Sequence, residues 1–131
     1  MALTMTAAEM VAAARNRIKE YTTHDVVAMM DDPSVVIVDI RDPRERDRTG
    51  VIPGAFSCPR GMVEFWVDPQ SPYFKEIFGE EKTFVFHCAS GWRSALTVAT
   101  LQDMGFKAGH LKDGFTDWVA QGAPVEPLSK S

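Results

Sequence analysis

Two stretches of this chain, SVVIVDI at 34–40 and TFVFHC at 83–88, are apolar or β-branched at almost every position. A strand with one face in water alternates polar and apolar residues. A continuous run belongs to a strand covered on both faces, as in a parallel sheet wrapped by helices. That requirement restricts the chain to an α/β fold, a central mostly parallel sheet with helices on both faces. The 131 residues suit one domain with a sizeable core. Ligands of such sheets sit beyond the carboxyl ends of the strands. Asp39 and Cys88 stand at those ends, which makes them candidates for one pocket.

Helical patterns fill the intervals. Thr6 and Glu9 read as a capping box, and Val11, Ala14, Ile18 and Tyr21 then recur at helical spacing, predicting a helix over the rest of 1–21. A second helix starts at Thr22 or Thr23 and stops at Asp32-Pro33. RDPRERDRTG, at 41–50, is highly charged and reads as solvated. Residues 51–59 suggest a turn and a short strand, and 60–82 short helical pieces between proline turns. Phe65, Trp66, Tyr73 and Phe74 are expected to form a hydrophobic cluster under that connection. A helix over 93–105 ending at Gly105, a short strand near 106–114, a last helix carrying Trp118 and an extended tail complete the pattern.

Charge and cysteine usage exclude several classes. The net charge is −4 and no basic stripe appears, which argues against nucleic acid. No apolar run is long enough to span a bilayer, and Glu9, Arg15 and Arg17 interrupt the N-terminal segment where a signal peptide would be continuous. The expectation is a soluble, cytoplasmic protein without a membrane partner. Cys58 and Cys88 form no CxxC and are too few for a disulfide scaffold; His24, His87 and His110 are scattered, so no metal site is expected.

The chemistry concentrates in Cys88-Ala89-Ser90-Gly91-Trp92-Arg93-Ser94, a loop between a buried strand and a helix. A helix N-terminus offers unpaired N–H groups and a partial positive charge. Gly91 permits the backbone angles that turn such amides toward one point. A thiol there is favoured as thiolate, a nucleophile inside an anion cradle. Arg93 opposes the helix dipole, so a functional role is expected for it, either binding an anion or fixing the loop. Ser94 reads as a cap or as a donor to the thiolate, and Trp92 as a pocket wall or a surface aromatic.

HCASGWRSAL resembles the active-site loop of the rhodaneses, the thiosulfate sulfurtransferases. VVIVDIRDPRE resembles the family's Asp-x-Arg segment through Asp39, Arg41 and Glu45; GVIPGA and GHLKDGFTDW resemble two further family segments, with Val51 in place of the usual His and Asp113 in place of the usual Gly. The resemblance covers about residues 22–125. It implies a single rhodanese-like domain at 22–131, leaving 1–21 as an N-terminal helical extension expected to cover one face of the sheet or a partner's surface and to carry no chemistry. It further implies that Cys88 takes the outer sulfur of a donor such as thiosulfate and carries it as a persulfide. A thiol or cyanide then accepts that sulfur, and neither metal nor organic cofactor is needed.

Supporting roles remain open at three positions. Asp39 and Arg41 either touch substrate or brace the rim by pairing with Arg44 or Glu45; Arg60 either lines the pocket or is a solvated charge. His87 points away from Cys88's face and reads as structural, and Cys58 as a structural thiol. Two alternative functions stand beside sulfur transfer. One is a cysteine phosphatase or arsenate reductase of the related fold, whose loops place five residues between Cys and Arg where four stand here. The other is a rhodanese-like binding module, against which the intact Cys88 argues.

Overall fold

The structure, a computed structural model, describes residues 2–128; the last residues of the expected extended tail lie outside the described residues. The elements run α1 (Ala7–Arg15), β1 (Lys19–Tyr21), α2 (Thr23–Met29), β2 (Val35–Asp39), α3 (Pro43–Thr49), β3 (Phe56–Ser57), α4 (Val63–Val67), β4 (Thr83–His87), α5 (Trp92–Asp103), β5 (Gly109–Leu111) and α6 (Gly114–Ala120). Short 3-10 turns occupy Arg60–Met62 and Glu76–Gly79. The five strands pair in the order β1-β5-β4-β2-β3, and every strand pairing is parallel.

The period of two along a strand divides the core between two faces. Val36 and Val38 of β2 and Phe84 and Phe86 of β4 point to one side, where they meet Val63, Val98 and Leu101. Ile37 and Val85 point to the other and meet Val26, Leu111, Phe115 and Trp118. The helices therefore cover both faces: α4 and α5 on the first, α2 and α6 on the second. The same alternation fixes the strand end. Paired β2 and β4 bring Asp39 opposite His87, and Cys88, one residue on, joins the core beside α5.

Two sequence expectations are corrected and one element is added. The first helix ends at Arg15, and Lys19–Tyr21 pair with β5 as an edge strand. Ile18, just before the strand, and Tyr21, at its end, fell on the helical spacing, but each packs on a core of the sheet, Ile18 on one and Tyr21 on the other. Residues 43–49, expected only to be solvated, form a helix opened by Pro43 and an Asp42/Glu45 capping box. None of its residues is buried, so it has no apolar stripe to read. The expected aromatic cluster splits: Trp66 and Phe74 pack on the core, whereas Phe65 and Tyr73 form an edge-to-face pair and are 51% and 58% exposed.

α1 lies on the outer side of α5. Val11 and Ala14 meet Ala95 and Ala99, small residues that let the two backbones approach. The geometry leaves no room for growth at Ala95, which is fully buried. Ala95→Leu is expected to lower stability by roughly 1–3 kcal/mol, the ordinary cost of overpacking. Chemical denaturation checks this, and an unchanged midpoint would show that α1 does not seat against α5.

Candidate active site

β4 delivers Cys88 to the carboxyl edge of the sheet, and the chain turns there into α5. Gly91, the N-cap of α5, has φ +93°, a left-handed conformation that L side chains resist. A Cβ at Gly91 would also collide with the Lys112 carbonyl. The turn is held from behind by α6. The amides of Phe115 and Thr116 donate to the carbonyls of Cys88 (2.9 Å) and Ala89 (3.0 Å). Gly114, at φ +71°, makes that approach possible, since a Cβ there would run into the Ala89 carbonyl.

With its carbonyls turned toward α6, the loop directs amides at the sulfur. Gly91 N–H and Ser94 N–H donate to Cys88 Sγ at 3.2 and 3.4 Å. The Cys88 thiol in turn faces Ser94 Oγ at 3.7 Å. Cys88 is fully buried. The Ser94 side chain makes no helix cap; its hydroxyl lies 2.7 Å from His110 Nδ1. Trp92, at the start of α5, is 48% exposed, and Ala89 and Ser90 complete the turn.

Arg93 is held by Glu45 in a bidentate pair, at 2.8 and 2.9 Å. Glu45 Oε1 also accepts the Asp42 amide, so the cap of α3 and the clamp on Arg93 are one carboxylate. The hydrogen bond from Arg93 holds Glu45 below the usual carboxylate range against the opposing effect of burial, with the Asp42 amide adding to it. Glu45 in turn raises Arg93, and the charge of Cys88 contributes in the same direction.

Asp39 and Arg41 do not pair with Arg44 or Glu45. They pair with each other, deep in the protein: Arg41 Nε and Nη2 reach Asp39 at 3.0 and 2.9 Å, with Asp39 and Arg41 only 0% and 1% exposed. Arg41 also donates to Thr49 Oγ1 and the Gly50 carbonyl and lies over the Phe115 ring at 4.1 Å. Arg46 adds a further bond to Asp39. Arg44 is taken by Asp42. The pair therefore braces α3 and α6, and its burial keeps it from solvent. Arg60 forms an i,i+4 pair with Glu64 at 2.7 Å.

His87 points to Asp39's side of the sheet, with Nε2 3.7 Å from Asp39 Oδ2, and stacks on Phe115. Burial pushes it down, against the pull of Asp39. Cys58 is buried and pushed up to about 12, by burial first and the Glu64 charge second. That environment favours the thiol over the nucleophilic thiolate. Among the described residues no cluster of His, Cys, Asp or Glu could hold a metal ion, and no helix is long and apolar enough to cross a membrane.

Three residues behind the loop escaped the sequence reading: Arg15, Glu20 and His110. Arg15 Nη2 donates to the Lys112 carbonyl at 2.9 Å, and Glu20 accepts from His110 at 2.9 Å. The available signal was His110 itself, a polar residue in the centre of a three-residue strand that is wholly buried.

Burial acts to raise the Asp39 carboxyl, but the Arg41 hydrogen bonds and the charges of His87 and Arg41 outweigh it and hold the carboxyl below its usual range. Stability from this group is thus present above about pH 4 and is lost as pH falls through the lower folded value. Asp39→Asn is expected to cost roughly 3–5 kcal/mol at neutral pH, because Arg41 is left buried without its counter-charge. It is also expected to flatten the acid limb of the stability curve. Urea midpoints measured against pH test both; an acid limb as steep as wild type would show that Asp39 does not set it.

The rhodanese-like domain model matches residues 22–121. A protein of unknown function from Rhodopseudomonas palustris, described as a possible tyrosine phosphatase, superposes with a TM-score of 0.92 at 52% identity, covering 96% of this chain and 98% of its own. Thiosulfate sulfurtransferase/rhodanese-like domain-containing protein 3 of Mus musculus is 27% identical over 77% of this chain and 68% of its own length. The tRNA uridine(34) hydroxylase of Salmonella typhimurium is 31% identical, but the match spans 82% of this chain and only 31% of the hydroxylase. Fold, loop and family model agree: the chain belongs to the rhodanese-like domain family.

Proposed function

We propose that the protein is a sulfurtransferase in which Cys88 carries the moving sulfur. The observation that carries this reading is the pair of amides, Gly91 and Ser94, aimed at one sulfur atom from a loop with four residues between Cys88 and Arg93. Such a loop closes around a single anionic atom rather than a tetrahedral oxyanion. That favours sulfur chemistry over the phosphatase description of the Rhodopseudomonas palustris relative.

In the first half-reaction the Cys88 thiolate attacks the outer sulfur of thiosulfate. A Cys88–sulfur bond forms, the sulfur–sulfonate bond breaks, and sulfite leaves with the electron pair. Cys88 is left as an anionic persulfide, which the loop amides and the N-terminus of α5 stabilise. In the second half-reaction cyanide or a thiolate takes the outer sulfur, and the bonding pair returns to Cys88. Because Cys88 is fully covered at rest, the donor displaces the side chains over it. Arg93, half-exposed and tied to Glu45, is the cation placed to exchange that carboxylate for the donor's sulfonate.

Thiocyanate formation from thiosulfate and cyanide tests the reading, with a phosphomonoester run in parallel. Turnover of thiosulfate well above that of the phosphomonoester is expected, and the reverse order would replace sulfur transfer with phosphatase chemistry. Arg93→Ala is expected to lower kcat/KM for thiosulfate by the equivalent of about 2.7–4 kcal/mol, the loss typical of a donor to developing charge. Its thermal midpoint should barely move, since an exposed ion pair contributes roughly 0–1 kcal/mol. Unchanged kcat/KM would leave Arg93 with the loop alone.

A further inference from the structure

Behind Cys88 lies a chain of hydrogen bonds that the sulfur-transfer reading does not use. The thiol faces Ser94 Oγ at 3.7 Å, Ser94 Oγ lies 2.7 Å from His110 Nδ1, and His110 Nε2 lies 2.9 Å from Glu20 Oε2. Cys88, Ser94 and His110 are fully buried. Four separate pieces of the fold supply the members: the end of β4, α5, β5 and the edge strand β1.

The direction of each bond follows from the donors available. A carboxylate only accepts, so His110 Nε2 carries the hydrogen that Glu20 receives. His110 Nδ1 then holds a lone pair and accepts the Ser94 hydroxyl hydrogen. The Ser94 oxygen is left free to accept from the Cys88 thiol. Every member is oriented to pass a proton away from sulfur.

We infer that Ser94, His110 and Glu20 form a proton relay that receives the Cys88 proton and holds it while the sulfur is a thiolate. The Cys88 S–H bond breaks and a new O–H bond forms on Ser94, whose own hydrogen passes to His110 Nδ1. The products are a thiolate and an imidazolium, with no change in total charge and no external reactant. The new Ser94 hydrogen faces the sulfur, adding a hydroxyl to the Gly91 and Ser94 amides. Glu20 stands against the imidazolium as its counter-charge.

The surroundings suit a base that is neutral at rest. Burial pushes His110 down, while the Glu20 hydrogen bond and charge pull against it. Arg15, on α1, adds to the downward push, and Asp113, after β5, opposes it. Arg15 Nε lies 3.8 Å from Glu20 Oε2 and limits how strongly that carboxylate draws the proton. His110 and Glu20 touch neither sulfur nor substrate; they act through Ser94 and are positioning residues. The proposal places part of the N-terminal segment behind the reacting thiol, and it rests on Cys88 being the nucleophile of the proposed function.

The test is alkylation of Cys88 by iodoacetamide, followed by intact mass from pH 5 to 10 in the full chain carrying Cys58→Ser. Each rate profile is normalised to its own alkaline plateau, which removes differences in access. Glu20→Gln and His110→Gln are each expected to displace the profile to higher pH. A displacement of one unit lowers the normalised rate at pH 7 about tenfold. A merely structural role would change the plateau and leave the normalised profile in place. Superimposable profiles for Glu20→Gln would overturn the relay, and that isosteric change at a partly exposed residue decides the matter if His110→Gln fails to fold. Alkylation needs no sulfur donor. A displaced profile in a protein that transfers no sulfur keeps the relay and removes the proposed function, and the opposite pair of results does the reverse.

Discussion

Two hydrogen bonds, from the amides of Phe115 and Thr116 to the carbonyls of Cys88 and Ala89, set the direction in which the loop faces. A tight turn has both donors and acceptors, and either could point inward. By occupying the carbonyls, the start of α6 leaves the amides of Gly91 and Ser94 for the sulfur. Both glycines at this junction are required by that contact. Gly91 and Gly114 carry positive φ, and a side chain on either would strike backbone across the gap. The loop is therefore a joint product of the starts of two helices, Trp92 and Gly114.

The buried Asp39–Arg41 pair does the corresponding work on the other face. Arg41 ties the end of β2 to Thr49 and Gly50 at the end of α3, while its guanidinium lies on Phe115 of α6. An uncompensated charge in that position is costly, so the pair holds a single arrangement of β2, α3 and α6. α3 carries Glu45, and Glu45 positions Arg93. The clamp on the half-exposed arginine thus depends on an ion pair that never meets solvent.

What the sequence made legible follows from where its physics is local. Two uninterrupted apolar runs required strands covered on both faces, and β2 and β4 are those strands. A threonine at 22 or 23 marked the start of α2, and the structure places the cap at Thr22, paired with Asp25. The Cys88 loop was readable because Gly91 and the helix start lie within a few residues of the thiol. α3 was missed because its surface is polar all round, although Asp42-Pro43 and Glu45 announced it. β1 was hidden because three residues at an edge carry no periodicity of their own, and only pairing with β5 defines them. The partners of Asp39, Arg41 and His110 were not legible at all. They are set by contacts across the fold, among them the 90 positions that separate His110 from Glu20.

On the proposed function Cys88, and not Cys58, holds the transferable sulfur. The two thiols differ in surroundings: Cys88 receives two amides and a hydroxyl contact, while Cys58 is kept protonated by burial. Intact mass with peptide mapping after thiosulfate treatment separates them most directly. A gain of one sulfur atom is expected on the peptide holding Cys88, removed by cyanide and absent in Cys88→Ser. A labile sulfur on the Cys58 peptide, or one retained in Cys88→Ser, would contradict it.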